Sequence, residues 1–151
     1  MESKKINIKN KIVNHLTVKG KKNKGEQILL KSIKKLQKSS KKASQKVFQL
    51  ALVSATPIFK INKITQKKRK KKQQKSKIIP AFIHNKKARI SAAIKYIIAS
   101  AKKNKTRSFF STLLNEFSST AQYQSQAIET KKEIQKQASI NKHLFKYYRW
   151  H

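Results

Sequence analysis

The sequence has no cysteine and no aspartate, and among its 151 residues there are only two glycines, two prolines and five acids, all glutamate. Each shortage excludes some chemistry. Without cysteine there is neither a disulfide framework nor a thiolate metal site, and cysteine usage leaves the redox compartment open. Glu2, Glu26, Glu116, Glu129 and Glu133 are too few for two-metal phosphoryl transfer, glycoside hydrolysis or an aspartyl dyad, which all need clustered carboxylates. Glu129 and Glu133 lie four apart, but Lys131, Lys132 and Lys136 surround them, so ion pairing along a helix is their expected use. Gly20 and Gly25 form no phosphate-cradling loop, and no serine sits in a Gly-x-Ser-x-Gly elbow. No apolar run approaches the ~18 to 20 residues of a membrane-spanning helix. The expectation is a chain that is not an enzyme and carries no cofactor and no metal.

What is present is positive charge. Lys and Arg number 39 against 5 acids, a net +34, while hydrophobic residues make up 37 %, enough for a modest core in one domain or one domain with tails. A compact globule of this length has a radius of gyration of about 15 Å. Salt, with a Debye length of ~8 Å, screens the resulting self-repulsion only in part. A polyanion would supply the missing charge, and two kinds fit: nucleic acid and an anionic membrane. A cationic membrane helix would need one apolar face and no second core. Here the apolar residues recur in several segments, which indicates a folded body under a charged shell. His15, His84, His143 and His151 lack HxxxH or HxxE spacing and are expected to be solvated or to face RNA, not to ligate metal.

The spacing of apolar residues predicts the elements. Ile8, Ile12, Val13 and Leu16 mark a helix over about 6–18, which the basic Lys19-Gly20-Lys21-Lys22 turn ends. Leu29, Ile33 and Leu36 mark a second over about 25–39, and Val47, Phe48, Ala51, Leu52 and Ala55 a third over about 42–55, closed by Thr56-Pro57. Ile58 to Ile64 and Ile78 to Ile83 then read as strands, Pro80 confining the second to an edge or bulge. They enclose Lys67-Lys68-Arg69-Lys70-Lys71-Lys72 and the basic Gln73 to Lys77, so a β-hairpin over about 58–83 with a long basic tip at 66–77 is expected. Ile90, Ile94, Ile97, Ile98 and Ala101 predict a fourth helix over about 86–104, with Lys87, Lys95 and Lys102 on its other face. Phe109, Phe110, Leu113, Leu114 and Phe117 predict a fifth over about 108–121 with Ser108 as its cap. Ile128, Ile134, Ala138 and Phe145 predict a looser sixth over about 127–145, before an aromatic and basic tail at 146–151. The fold expected is mainly α, about six helices with one long basic hairpin between the third and fourth.

The end of the chain carries a more specific pattern: Leu114-Asn115-Glu116, Ala121, Ala127-Ile128, Lys131, Glu133, Ala138, Asn141-Lys142, Phe145 and Tyr148-Arg149-Trp150. This series resembles the last two helices of the small-subunit ribosomal protein seven family. Ile12-Val13-Asn14 with Gly20-Lys21-Lys22 is similar to that family's first helix and Gly-Lys-Lys turn, and Ala51-Leu52 through Pro57 to the end of its third helix. Ile79-Pro80 is similar to the Val-Pro of its return strand, and Arg89 through Lys103 to the helix that follows. The likeness runs in order over roughly residues 8–150. There are departures. Gln73-Gln74 stands where the family carries a Gly-Gly pair, beside several extra residues. One further residue lies between Asn141 and Phe145, and the basic arm that bacterial members carry before the first helix is nearly absent.

The resemblance implies a structural constituent of the small ribosomal subunit. It would bind the head (3′ major) domain of small-subunit rRNA, nucleate assembly of that head and lie near the exit-site tRNA and the mRNA path. Other head and platform proteins would be its neighbours. The chemistry agrees, because Lys and Arg neutralise phosphates and release counterions. With 35 Lys and only four Arg, recognition of RNA shape and phosphate path is expected over reading of base edges. Candidate RNA contacts are Lys19, Lys21, Lys22 and Lys24; Lys67, Lys68, Arg69, Lys70, Lys71, Lys72, Lys75 and Lys77 of the hairpin; Lys86, Lys87 and Arg89; Lys102, Lys103 and Arg107; Lys131, Lys132 and Lys142; and Tyr148, Arg149 and Trp150. The arginines suit bidentate phosphate contacts or stacking on a base. The rival readings are a histone-like nucleic-acid compactor, which would need no six-helix body, and a membrane-active cationic protein. Eighteen Ile and 35 Lys against two Gly and two Pro are the skew of an A/T-rich gene. With no Arg/Ser-rich presequence before the first helix, this suggests an organelle-encoded protein of the mitochondrial ribosome, with a plastid or an A/T-rich bacterium as alternatives.

Overall fold

The computed structural model describes residues 7–39, 44–65, 76–104 and 108–147. Their order is α1 (Ile8–Leu16), α2 (Lys22–Ser39), α3 (Ser44–Ala55), β1 (Phe59–Thr65), β2 (Ser76–Phe82), α4 (Lys86–Lys103), α5 (Phe109–Ala121) and α6 (Gln126–Ile140), followed by a 3₁₀ segment, Lys142–Tyr147. The fold is the expected one: mainly α, six helices, and an antiparallel hairpin between α3 and α4. Most of the basic tip at 66–77 lies outside the described residues.

Local chemistry sets the helix ends, and here the structure corrects several boundaries. The Asn7 side chain accepts the Asn10 N–H at 3.2 Å and starts α1. The helix stops at Leu16, short of Val18, because Thr17 is extended and both its N–H and its hydroxyl bond the Val13 carbonyl at 2.9 Å. The chain then turns through Lys19 (φ 51°) and Gly20 (φ 74°), both left-handed. Helix α2 begins at Lys22, not near residue 25, so Gly25 lies inside it. Gly25 is buried one turn inside, where a Cβ would sit 3.4 Å from the Leu16 Cβ and from the Val13 carbonyl oxygen. It is small because α2 passes close to the end of α1.

Ser108 stands at the N-cap of α5, but its hydroxyl bonds the Ser111 hydroxyl at 2.9 Å and no helix N–H, so it is not the side-chain cap expected. Helix α6 ends at Ile140, five residues before the expected limit. The Asn141 N–H and side-chain amide both donate to the Gln137 carbonyl, at 3.1 and 2.9 Å, and the chain tightens into the 3₁₀ segment. That change of path brings Phe145 to the hairpin base, where its ring lies 5.6 Å from Phe59 and 5.1 Å from Phe82, themselves 4.7 Å apart. In the hairpin Phe59 faces Phe82 and Thr65 faces Ser76. Pro80 faces Ile61 in a two-stranded sheet, so its missing N–H interrupts no third strand.

The core joins Ile12, Val13 and Leu16 of α1, Leu29 and Leu36 of α2, Phe48, Ala51, Leu52 and Ala55 of α3, the Ala93-to-Ala101 face of α4, Leu113, Leu114 and Phe117 of α5, and Ala127 of α6. These are the apolar stripes that the sequence spacing predicts. Helix α5 is central and packs on α2, α3 and α4; Phe117 meets Phe48 edge-on, with ring centres 4.5 Å apart. The buried Ser32 hydroxyl reaches the Ile28 carbonyl at 2.9 Å and the Phe110 carbonyl at 3.1 Å, satisfying a polar group where α2 meets α5.

Candidate nucleic-acid interface

Charge sits outside this core. Lys19, Lys21, Lys22 and Lys24 are exposed around the α1–α2 turn; Lys22 comes within 3.9 Å of Glu26, an exposed pair one helical turn apart worth little. Lys86 and Lys87 are exposed in the first turn of α4, and Lys102 and Lys103 in its last, where they also oppose the helix dipole favourably. Lys132 on α6 and Lys142 at the start of the 3₁₀ segment are exposed too. Lys67, Lys68, Arg69, Lys70, Lys71, Lys72, Lys75, Arg107, Tyr148, Arg149 and Trp150 lie outside the described residues, and Lys77 is described by its strand pairing with Ile64.

Two of the expected contacts serve the fold itself. Half-buried Arg89 directs its Nε–H to the Ile83 carbonyl, tying the start of α4 to the end of the hairpin. Lys131 donates from Nζ to the Ser54 carbonyl at 2.6 Å. Glu129 and Glu133 are exposed and make no ion pair among the described residues, which corrects the pairing expected with their lysine neighbours.

The structure also brings together groups that the sequence reading did not select as contacts. Lys11 on α1 donates to the Lys87 carbonyl at 2.9 Å and to the Ser91 hydroxyl at 3.2 Å, bridging to α4. One turn further on, His15 of α1 lies in the field of Lys95 of α4. Its pKa is lowered from the ordinary 6.5, first by burial, then by Lys95, then by Lys11. The four-residue spacings Lys11–His15 and Ser91–Lys95 were visible in the sequence, but not the neighbourhood of α1 and α4. Elsewhere Lys35 of α2 reaches the Ser111 hydroxyl at 3.0 Å and lies 5.7 Å from the centre of the Phe110 ring. Burial raises the pKa of Tyr96, which is half-buried against the core.

Through these contacts α1, the start of α4, the hairpin base and the 3₁₀ segment form one connected set of cationic elements. Among the described residues no group of three or more His, Asp or Glu is placed to hold a metal ion, and no helix is long and apolar enough to cross a membrane.

A helical core beneath a shell of exposed ammonium groups, almost free of carboxylates, is the build of a small protein that takes a polyanion as its counter-surface. The chain belongs to the family described as Ribosomal protein S7p/S5e, whose profile matches residues 2–142. It is similar to the small ribosomal subunit protein uS7 of Wigglesworthia glossinidia brevipalpis, 28 % identical over 143 residues that cover 95 % of this chain and 86 % of the relative.

Proposed function

We propose that this ribosomal protein is a structural constituent of the small subunit that binds the head (3′ major) domain of its rRNA, nucleates assembly of that head and lies near the exit-site tRNA and the mRNA path. The observation that carries the reading is the uncompensated positive shell, with exposed Lys19, Lys21, Lys24, Lys86, Lys87, Lys102, Lys103, Lys132 and Lys142 on a fold whose acids number five in all. Such a surface gains free energy from phosphate neutralisation and counterion release. Rigid helices give the cations fixed spacings, which suits recognition of an RNA shape. The basic hairpin and the aromatic-basic tail are the parts we assign to tRNA and mRNA proximity and to closer RNA contact. Head and platform proteins are its proposed neighbours, and exposed Leu50 and Val53, three apart on α3, support an apolar contact with one of them. The A/T-rich skew of the composition supports a place in the mitochondrial ribosome, while the relative named above is bacterial.

A salt-dependent binding titration with head-domain rRNA, against an equally long unrelated structured RNA, tests this function. We expect a preference of about a hundredfold or more that survives physiological salt. Equal affinities that both fall steeply with salt would leave charge alone as the binder and favour a nucleic-acid compactor. Fractionation of organelles and their ribosomes tests the compartment separately.

A further inference from the structure

We propose that Lys11, His15 and Lys95, across the seam between α1 and α4, form a proton-linked site for one phosphate of the RNA backbone. This rests on the RNA-binding function proposed above and adds a specific place and a pH dependence to it.

The geometry is a short ladder. Lys11 and His15 are one turn apart on α1; Ser91 and Lys95 are one turn apart on α4. The Lys11 ammonium is held at the seam by the Lys87 carbonyl and the Ser91 hydroxyl. Those bonds use two of its three donors and leave one for an anion. Lys95 is exposed and His15 half-buried, so the site opens to solvent along one edge. From its own helix His15 faces Lys11, and from α4 it faces Lys95. On α2, which also packs against α1, Lys22 and Glu26 pair with each other. Of the remaining described acids, Glu116 is buried in α5, and Glu129 and Glu133 are on α6. No carboxylate among the described residues neutralises the seam.

In the free protein burial and the two ammonium groups all oppose a third positive charge, so His15 is neutral near pH 7. A phosphate docked between Lys11 and Lys95 offsets both repulsions. The imidazole then takes up a proton and donates it to the phosphate as a charge-assisted hydrogen bond. Binding takes up a proton, so affinity rises as pH falls through the interval between the free and bound pKa values. A half-buried imidazole tolerates the unbound state, where a third permanent charge would not.

The test uses the full chain and head-domain rRNA at fixed ionic strength from about pH 8 to 5.5, comparing wild type with His15→Gln, and with unrelated structured RNA in parallel. His84, His143 and His151 are common to both proteins, so the difference between their two curves isolates His15. We expect wild-type affinity to gain up to about tenfold per pH unit over the variant in the linked interval. As a second readout that needs no variant, the His15 imidazole resonance in the wild type should titrate at higher pH with RNA bound. Parallel pH curves, or a His15 titration that RNA does not move, would overturn the site even if rRNA is still preferred. A persisting His15 difference on both RNAs alike would sustain the site and sink the ribosomal specificity. Absence of binding to either RNA would overturn both.

Discussion

Lys131 on α6 donates a 2.6 Å hydrogen bond from Nζ to the Ser54 carbonyl in the last turn of α3. A cation at a helix C-terminus satisfies an orphan carbonyl and opposes the dipole, so this lysine holds two helices together. Its neighbour Lys132 is exposed. Lys131→Met should lower unfolding stability by about 1.5 to 3 kcal/mol, the range for a hydrogen bond to a charged group. Lys132→Met should stay within about 0.5 kcal/mol. Urea midpoints of the two variants check this, and equal effects would mean that the Ser54 contact carries no stability.

Tyr123 occupies the turn between α5 and α6 with φ 62°, a left-handed conformation unfavourable to any residue with a Cβ. Its N–H bonds the Thr120 carbonyl at 3.2 Å and the Gln124 N–H bonds the Ser119 carbonyl at 2.9 Å, the paired bonds of a Schellman end, where glycine is the usual occupant. The side chain is 66 % exposed, so little packing is lost on removing it. Tyr123→Gly should therefore stabilise the protein by about 1 kcal/mol. A lower melting temperature in the variant would show that the tyrosine makes a contact of its own.

These particulars show what the sequence makes legible. The stripe Ile90, Ile94, Ile97, Ile98 and Ala101 announces α4 because its spacing matches the helical period, and the same holds for the other core faces. The hairpin was readable from two β-branched runs on either side of a stretch too charged to pack. The need for a small residue at Gly25 is not legible, because the passage of α2 close to Leu16 is tertiary information. Asn141 gave no sign that its amide would bond back to Gln137 and end α6. The charge runs identified a cationic surface, but Lys131 and Lys132 are chemically identical neighbours, and only the position of α3 assigns one inward. Lys11 and Ser91 are 80 residues apart, so no local pattern joins them.

Glu116 is 5 % exposed, and its Oε1 has no hydrogen-bond partner among the described residues. A buried acceptor without a partner costs about 1 to 3 kcal/mol relative to an apolar group of the same shape. Glu116→Met keeps the length of the side chain and removes the unsatisfied atom, so the free protein should gain about 1 kcal/mol. Glu116→Gln should gain nothing, since an amide in the same place needs partners too. Paired denaturation curves decide, and a large loss in the Met variant would place a bonded partner on that carboxylate.

His15 also sets a pH dependence of stability without any RNA. Its folded-state pKa lies below the ordinary 6.5 because of burial, Lys95 and Lys11. The unfolded chain, with the ordinary value, therefore binds the proton first as pH falls. Stability is fully present above that value, declines as pH drops from it through the lowered one, and levels off below. His15→Gln should flatten this part of the profile. Added salt should weaken the slope only in part, because it screens the two lysines and leaves the burial in place. Urea midpoints for both proteins between about pH 8 and 5 test this. If wild type and variant lose stability in parallel, neither burial nor the lysines oppose protonation of the imidazole, and the proton-linked phosphate site loses its physical basis.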